Sequence, residues 1–176
     1  LGDVYKRQDI DIFVGNVFEH TANGSVVAST SINPIERIAK WVQGDPKIHP
    51  LAGMPPHQGT IIKRHLIKEY GFSSDFRVCA DWDQIFRICA DLDTSRVYHT
   101  NQIIAHYPNG GFSAHNILLW AEEAARISRR YISATDSQTN ERVCEFIAAQ
   151  AKAMIERRSC SEGAYNAIKT LTNMRG

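Results

Sequence analysis

Two aspartates, Asp81 and Asp83, have the residue type and spacing that acid–base chemistry needs. They belong to the segment Ala80-Asp81-Trp82-Asp83 at the predicted start of a helix, where both carboxylates can face a cleft. An ionised carboxylate there can accept the proton of a hydroxyl group held within about 2.6–3.2 Å. The same pattern also has a structural explanation, because an aspartate at a helix start caps free N–H groups and complements the helix dipole.

The segment around His57 and Gln58 is the second candidate. Both residues offer polar groups at the mouth of a predicted strand, residues 58–62. Their side chains can donate or accept hydrogen bonds to a ligand at that end of the strand. A loop histidine with ordinary hydrogen bonds is the alternative interpretation.

The glycine pair Gly110-Gly111, followed by Ser113, is the third candidate. Paired glycines before a helix let backbone N–H groups approach an oxygen atom of a ligand. A turn followed by a helix that Ser113 caps explains the same residues without a ligand.

His106 is a candidate metal ligand beside the glycine pair, although the sequence shows no set of partner ligands for it. A single histidine on a strand is more often structural. Seven basic residues mark the C-terminal segment: Arg126, Arg129, Arg130, Arg142, Lys152, Arg157 and Arg158. They form either a solvated face or a basic surface that contacts anionic lipid.

Hydrophobic spacing and turn residues predict the elements that position these side chains. Strands are predicted at residues 9–16, 25–30, 58–62, 96–99 and 102–107. Helices are predicted at residues 34–44, 64–70, 81–90, 113–131, 139–158 and 164–171. Asn33 is expected to cap the first helix and Gly71 to end the second. The pattern therefore predicts an α/β part followed by an all-helical tail.

The composition is that of a globular protein with a real core. The chain has 176 residues, of which 43% are hydrophobic and 22% charged, with a formal net charge of +1. This charge gives no indication of a nucleic-acid partner. No apolar run approaches the ~20 residues that span a bilayer. The four cysteines form no Cys-x-x-Cys pair, so neither a zinc ribbon nor a redox motif is indicated, and a reducing cytoplasm fits them.

The first eight residues, LGDVYKRQ, resemble the translation of a sequencing adaptor, and we expect them to lie outside the fold. The predicted organisation is then an adaptor-like segment at 1–8, an α/β part at 9–112 and a helical extension at 113–176. We also expect the chain to be a fragment of a longer protein.

The order of the motifs resembles glycosyltransferase family 2, in particular its members that build bacterial polysaccharides and lipopolysaccharides. In those proteins a His-Gln pair precedes a strand, and a Tyr-Gly-Phe turn, an Ala-Asp-x-Asp helix start and a Gly-Gly-x-Ser loop follow. The matching segments here are His57-Gln58, Tyr70-Gly71-Phe72, Asp81-Trp82-Asp83 and Gly110-Gly111-Phe112-Ser113. The resemblance covers about residues 9–116.

The resemblance implies part of a GT-A fold, as in nucleotide-diphospho-sugar transferases, with a central mixed sheet between helices. In the family, the first half binds the nucleotide-sugar and carries an Asp-x-Asp motif for Mg²⁺ or Mn²⁺. The second half binds the saccharide or lipid-linked saccharide acceptor and carries the general base, whose position Asp81 matches. The residues implied on the acceptor side are His57, Gln58, Asp83, Gly110, Gly111 and Ser113. We expect these segments to surround one groove.

The sequence departs from the family in its donor-binding part. Asp9-Ile10-Asp11 matches the Asp-x-Asp pattern of the metal motif, but it resembles the strand that follows this motif in the family. Asp91-Leu92-Asp93 also matches the pattern, but it lies after the residue that matches the general base. The metal ligands are therefore expected to be mostly absent from this chain. We accordingly predict that the chain alone neither binds a nucleotide-sugar tightly nor catalyses transfer.

Two other functions remain open. One is a metal-dependent hydrolase that uses His57, Asp81, Asp83 and His106. The other is a non-enzymatic helical module whose basic tail binds a membrane or a protein partner. The transferase hypothesis places the protein in the cytoplasm, with possible peripheral contact at the inner face of the membrane, and predicts no nucleic-acid partner.

Overall fold

The computed structural model describes residues 9–21, 24–28, 33–43, 54–108, 111–132 and 137–156. Within these ranges the chain is mixed α/β, with a mixed sheet and six α-helices. It divides into two compact units. The first, here called the sheet unit, comprises Leu1–Ile48, Gly53–Phe72 and Gln84–Asn109. The second, the helical unit, comprises His49–Ala52, Ser73–Asp83 and Gly110–Gly176.

Strand β1 (Ile12–Thr21) is the centre of the sheet. Along one edge it pairs antiparallel with β2 (Gly24–Ala28) and then with β3 (Thr60–Ile62). Its other edge pairs parallel with β4 (Val97–Pro108). Both edges of β1 are thus covered, and the first strand predicted from the sequence is the core strand of the sheet unit.

Strand β1 runs five residues beyond its predicted end at residue 16, to Thr21. Gly15 does not begin a turn there but lies inside the strand, where a Cβ atom would come within 2.8 Å of the Ile104 side chain. A glycine therefore marks a close approach between strands rather than the end of one.

The two strands predicted at 96–99 and 102–107 are wrong as separate elements, because β4 is one continuous strand with a bulge. The pairing steps from Val14 with His99 to Asn16 with Ile103, so β4 carries extra residues between them. Buried Asn16 donates a hydrogen bond from Nδ2 to the Asn101 carbonyl oxygen at 2.8 Å. This bond satisfies a carbonyl group inside the bulge, where the regular ladder is interrupted.

Helix α1 (Pro34–Val42) begins as predicted. The side chain of Asn33 accepts a hydrogen bond from the backbone N–H of Glu36 at 3.3 Å, and Pro34 occupies the first turn. Ile35, Ile38 and Ala39 are buried on the predicted face, and Trp41 joins them. The Trp41 ring packs edge-on against Phe86, with centroids 5.4 Å apart, so α1 is held by aromatic as well as aliphatic packing.

Helices α2 (Arg64–Tyr70) and α3 (Ala80–Asp91) also lie where the sequence predicts them. Gly71 ends α2 with φ of +47°, a conformation that glycine adopts without strain. The apolar spacing of α3 is confirmed by the burial of Ile85, Phe86, Ile88 and Cys89. The sequence therefore predicts these two helices correctly from a terminal glycine and from apolar spacing.

The helical unit contains α4 (Phe112–His115), α5 (Ile117–Arg129) and α6 (Ser137–Glu156). The prediction of a single helix at residues 113–131 that Ser113 caps is wrong. The chain leaves helical geometry at Asn116, and Ser113 lies inside the short α4. The helices bury an apolar face each: Trp120, Ala121, Ala124 and Ile127 on α5, and Val143, Ile147, Ala151 and Ile155 on α6. The predicted helix 164–171 falls outside the described residues.

Each described helix is too short or too polar to cross a bilayer.

Candidate active site at a helix start

The backbone that leads into α3 is held by a buried carboxylate from α5. Glu123 is only 3% exposed. Its Oε1 accepts a hydrogen bond from the N–H of Arg77, and its Oε2 accepts from Val78 and Cys79, each at 2.8 Å. Charge-assisted hydrogen bonds of this kind are short and strong. One side chain thus fixes three consecutive residues immediately before the helix that carries Asp81.

Aromatic packing fixes the first turn of the same helix. Trp82 packs edge-on against Trp120 of α5, with ring centroids 5.6 Å apart. The N–H of Asp83 donates to the carbonyl oxygen of Cys79 at 3.0 Å, which is the first hydrogen bond of the helix. The start of α3 is therefore rigidly attached within the helical unit, as a site that must position a carboxylate requires.

Asp83 is buried and ion-paired. It is 1% exposed, and its Oδ1 lies 2.7 Å from Nη1 of Arg130. The guanidinium groups of Arg130 and Arg126 also lie over the ring of buried Phe76, 4.9 and 4.5 Å from its centroid. An acceptor sugar cannot reach a carboxylate that is 1% exposed without rearrangement around it, so Asp83 has the environment of a structural residue.

Asp81 has a different environment although it is only two residues away. It is half-buried, and its Oδ1 accepts a hydrogen bond from the N–H of Trp82 at 2.9 Å. This bond satisfies one of the N–H groups at the helix start, as the capping interpretation predicts. A carboxylate has two oxygens with about four acceptor positions. Asp81 can therefore accept the hydrogen bond from the Trp82 N–H and also accept a proton from a substrate hydroxyl.

The Tyr70-Gly71 turn is clamped in the sheet unit. Arg87 of α3 donates from Nη1 to the carbonyl oxygen of Tyr70 and from Nη2 to that of Gly71, the latter at 2.8 Å. The Tyr70 hydroxyl donates to Oδ2 of Asp91 at 3.0 Å. Desolvation and this hydrogen bond raise the pKa of Tyr70. Two α3 residues one turn apart thus fix the end of α2.

His57 and Gln58 lie in a short 3₁₀ helix, His57–Gly59, in the sheet unit, and both side chains are exposed. The neighbouring Gly59 is buried, and a Cβ atom there would lie 2.5 Å from the carbonyl oxygen of Gly15. Any larger residue would collide with backbone. The close approach of this turn to β1 therefore explains the glycine that follows the His-Gln pair.

Gly111 and Ser113 lie in the helical unit, where both are exposed. Gly111 precedes α4 with extended φ and ψ of −62° and 179°. Gly110 falls outside the described residues. Of the predicted site, Asp81, Asp83, Gly111 and Ser113 belong to the helical unit. His57, Gln58 and His106 belong to the sheet unit.

His106 has an aromatic neighbourhood that the sequence did not indicate. Its Nδ1 lies 3.2 Å from Nε2 of His20 on the adjacent strand β1, and its ring lies 5.1 Å from that of Phe18. Among the described residues, no group of three or more His, Cys, Asp or Glu side chains is placed to hold a metal ion.

The Asp9-Ile10-Asp11 segment is also engaged in structural contacts. Asp11 is buried, and Arg96 contacts both of its oxygens at 2.9 Å. Lys63 lies 3.3 Å from its Oδ1. Cations therefore neutralise buried Asp11 directly before β1.

Two thiols are buried near these elements. Burial raises the pKa of Cys79 well above its ordinary value, and the negative charges of Asp81 and Glu123 raise it further. Burial alone raises the pKa of Cys89 in the same direction. Both side chains are 0% exposed, so Cys79 and Cys89 pack as core residues.

Sequence reasoning missed Glu123 and His20, and it placed Arg130 on a solvated or lipid-binding face rather than beside Asp83. Glu123 had a detectable signal, since it falls among Trp120, Ala124 and Ile127 on the apolar face of α5, where an acidic residue must have a buried partner. His20 had no such signal, because its partner is 86 residues away in the sequence.

No family model, curated protein or solved structure matches this chain.

Proposed function

We propose that this chain is the acceptor-side part of an inverting glycosyltransferase similar to family 2, with Asp81 as the general base. Its substrates would be a nucleotide-sugar donor and a saccharide or lipid-linked saccharide acceptor. The observation that carries the proposal is the contrast between the two carboxylates at the start of α3. Asp83 is buried against Arg130, whereas Asp81 is half-buried on a backbone that Glu123 holds in place.

The contrast assigns different roles to the two residues. A general base must be reachable by the substrate hydroxyl and must be ionised. Asp81 meets the first requirement through its exposure. Asp83 does not, and we assign it to the support of the helix start through Arg130 and Phe76 rather than to acceptor binding. This changes the role that the family resemblance alone implies for Asp83.

The chemical step is a single displacement at the anomeric carbon. The acceptor hydroxyl loses its proton to an oxygen of Asp81 while its oxygen forms a bond to that carbon. The bond between the anomeric carbon and the diphosphate oxygen breaks, and the nucleoside diphosphate leaves with the electron pair. The anchoring of residues 77–79 by Glu123 would hold the base in position during this step.

The test uses the full-length gene product, assayed with nucleotide-sugars and saccharide acceptors. Asp81→Asn keeps the size of the side chain and its ability to accept from Trp82. We expect turnover to fall by about 10²–10⁴, with nucleotide-sugar binding nearly unchanged. Normal turnover in this variant would remove Asp81 from the mechanism.

Asp91→Asn is the matched control, because Asp91 is exposed at the opposite end of the same helix and an asparagine can still accept from Tyr70. Its turnover should stay close to that of the unchanged protein. A comparable loss in both variants would indicate that the helix, and not the carboxylate at its start, is being perturbed.

The two alternatives receive less support from the described contacts. A metal-dependent hydrolase would use His57, Asp81, Asp83 and His106, of which Asp83 is buried and ion-paired with Arg130. A basic membrane-binding face needs its arginines directed at lipid. Arg126 and Arg130 instead lie over Phe76.

A further inference from the structure

The geometry points to a two-histidine binding site for a late divalent transition-metal ion, formed by His20 and His106. The site lies in the sheet unit and is independent of the proposed transferase function. It differs from the Mg²⁺ or Mn²⁺ chemistry of that proposal, because its ligands are imidazole nitrogens rather than carboxylate oxygens.

The sheet brings the two rings together. Phe18 of β1 is paired with His106 of the parallel strand β4. His20 lies two residues after Phe18, so its side chain projects from the same face of β1. That face is not the core face, since Val17 and Glu19 on the other side are buried while His20 and His106 are exposed. A metal ion can therefore reach both rings from solvent.

The distance between the nitrogens matches chelation. Nε2 of His20 and Nδ1 of His106 are 3.2 Å apart. With metal–nitrogen bonds of about 2.0–2.1 Å, two ligands of one ion lie about 3.3 Å apart at a tetrahedral centre and about 2.9 Å apart at a right angle. The observed separation lies between these values, so the two nitrogens are spaced as ligands of one ion.

Phe18 restricts the two rings to this arrangement. Its ring packs edge-on against His20 with centroids 5.0 Å apart, and lies at 33° to the ring of His106 with centroids 5.1 Å apart. A pair of ligands held by a common aromatic neighbour loses less side-chain freedom on binding than two unrestrained histidines. The arrangement thus favours bidentate binding over binding to either ring alone.

The proton between the rings does not prevent metal binding. In the neutral pair, one ring donates its N–H to the other ring's nitrogen. When a metal ion binds, that proton moves to the second nitrogen of the same ring, and both facing nitrogens present lone pairs. Neutral imidazole binds Zn²⁺, Ni²⁺ and Cu²⁺. Two protein ligands leave the remaining coordination positions to water or to another molecule.

The test is isothermal titration of the metal-stripped chain with NiCl₂ and with ZnCl₂. We expect one saturable site whose affinity falls on the order of tenfold or more in His20→Phe and in His106→Phe, since even outer partners of ligands contribute this much. The phenylalanine substitutions keep the ring packing with Phe18. Circular dichroism of the metal-free variants should therefore match that of the unchanged chain.

The control is His115→Ala, which removes an exposed histidine in the helical unit whose Nδ1 lies 3.1 Å from the Gly111 carbonyl oxygen. Its metal affinity should be unchanged. Copper(II) added at low stoichiometry should broaden the ring NMR signals of His20 and His106 first. Absence of saturable binding, or equal affinity in a double His20→Phe, His106→Phe variant, would overturn the proposal.

Discussion

Asp11 of the sheet unit and Glu123 of the helical unit are buried carboxylates that are stabilised in different ways. In the sheet unit, Asp11 is 5% exposed and is neutralised by Arg96 and Lys63, whose side chains are 43% and 37% exposed. In the helical unit, Glu123 is 3% exposed and is held by three backbone N–H groups. The first arrangement uses flexible cations at the surface, and the second uses donors that cannot move away.

This difference determines what happens when the carboxylate is removed. Flexible cations that lose their partner can turn to water, so the cost is limited. Backbone N–H groups beside a helix start remain where the chain places them and lose their acceptors. Glu123 should therefore be the more sensitive of the two positions, and the backbone that it anchors lies directly before the candidate general base.

The largest effect is expected for Glu123→Ala. It should lower the free energy of unfolding by about 3–5 kcal/mol, because up to three N–H groups lose a charged acceptor. Urea denaturation followed by tryptophan fluorescence measures this, since Trp82 and Trp120 pack together in the same unit. If the variant does not fold, Glu123→Gln, which keeps one acceptor oxygen, should show a smaller loss.

The adjacent Glu122 provides the control, because it is exposed on the same helix. Glu122→Ala should change stability by no more than about 0.5 kcal/mol. Equal effects at 122 and 123 would contradict the assignment of a specific anchoring role to Glu123.

A smaller effect is expected for Asp11→Asn, about 1–2 kcal/mol at low salt, because its cations are partly solvated. The loss should shrink in 1 M NaCl, where the Debye length is about 3 Å. The Glu123 loss should keep its size under the same conditions. Asp9→Asn is the control, since Asp9 is exposed and contacts Arg96 through its backbone carbonyl. An Asp11 effect that does not depend on salt would contradict the distinction between stabilisation by surface cations at Asp11 and by backbone N–H groups at Glu123.

The smallest effect concerns the buried thiols, with Cys79 in the helical unit and Cys89 in the sheet unit. Both have raised pKa values in the folded chain. Above the ordinary thiol pKa of about 8.5, the unfolded chain loses these protons while the folded chain retains them, so stability falls as pH rises. Below that pH both states are protonated and the effect vanishes.

Denaturation at pH 8.0 and 9.5 should show a loss of roughly 1 kcal/mol per thiol. Cys79→Ala and Cys89→Ala should each remove one share of this pH dependence, whatever their effect at pH 8.0. A pH dependence that survives both substitutions would show that other groups cause it.

Local signals predicted a large part of the fold. Asn33-Pro34 located the start of α1, Gly71 located the end of α2, and apolar spacing located α3, because capping and glycine conformations depend on a few neighbouring residues. The errors arose where pairing between distant strands determines the length and regularity of an element. The first strand was predicted to end at residue 16, but β1 continues past Gly15, which accommodates Ile104 from the neighbouring strand. The bulge in β4 exists only in its register with β1.

The candidate site shows the same limit. Residue types marked Asp81 and Asp83 as a pair with similar chemistry. Their difference comes from Arg130, which lies 47 residues after Asp83 in the sequence and 2.7 Å from its carboxylate in the fold. No rule of local spacing assigns that partner.

The sequence by itself determined the starts and ends of α1, α2 and α3, the mixed α/β character and the positions of candidate carboxylates, because these depend on short-range sterics and hydrophobic period. Only the tertiary structure decided which carboxylate is buried, which backbone Glu123 anchors and that His20 faces His106. Burial and pairing are properties of packed neighbours, and those neighbours come from distant parts of the chain.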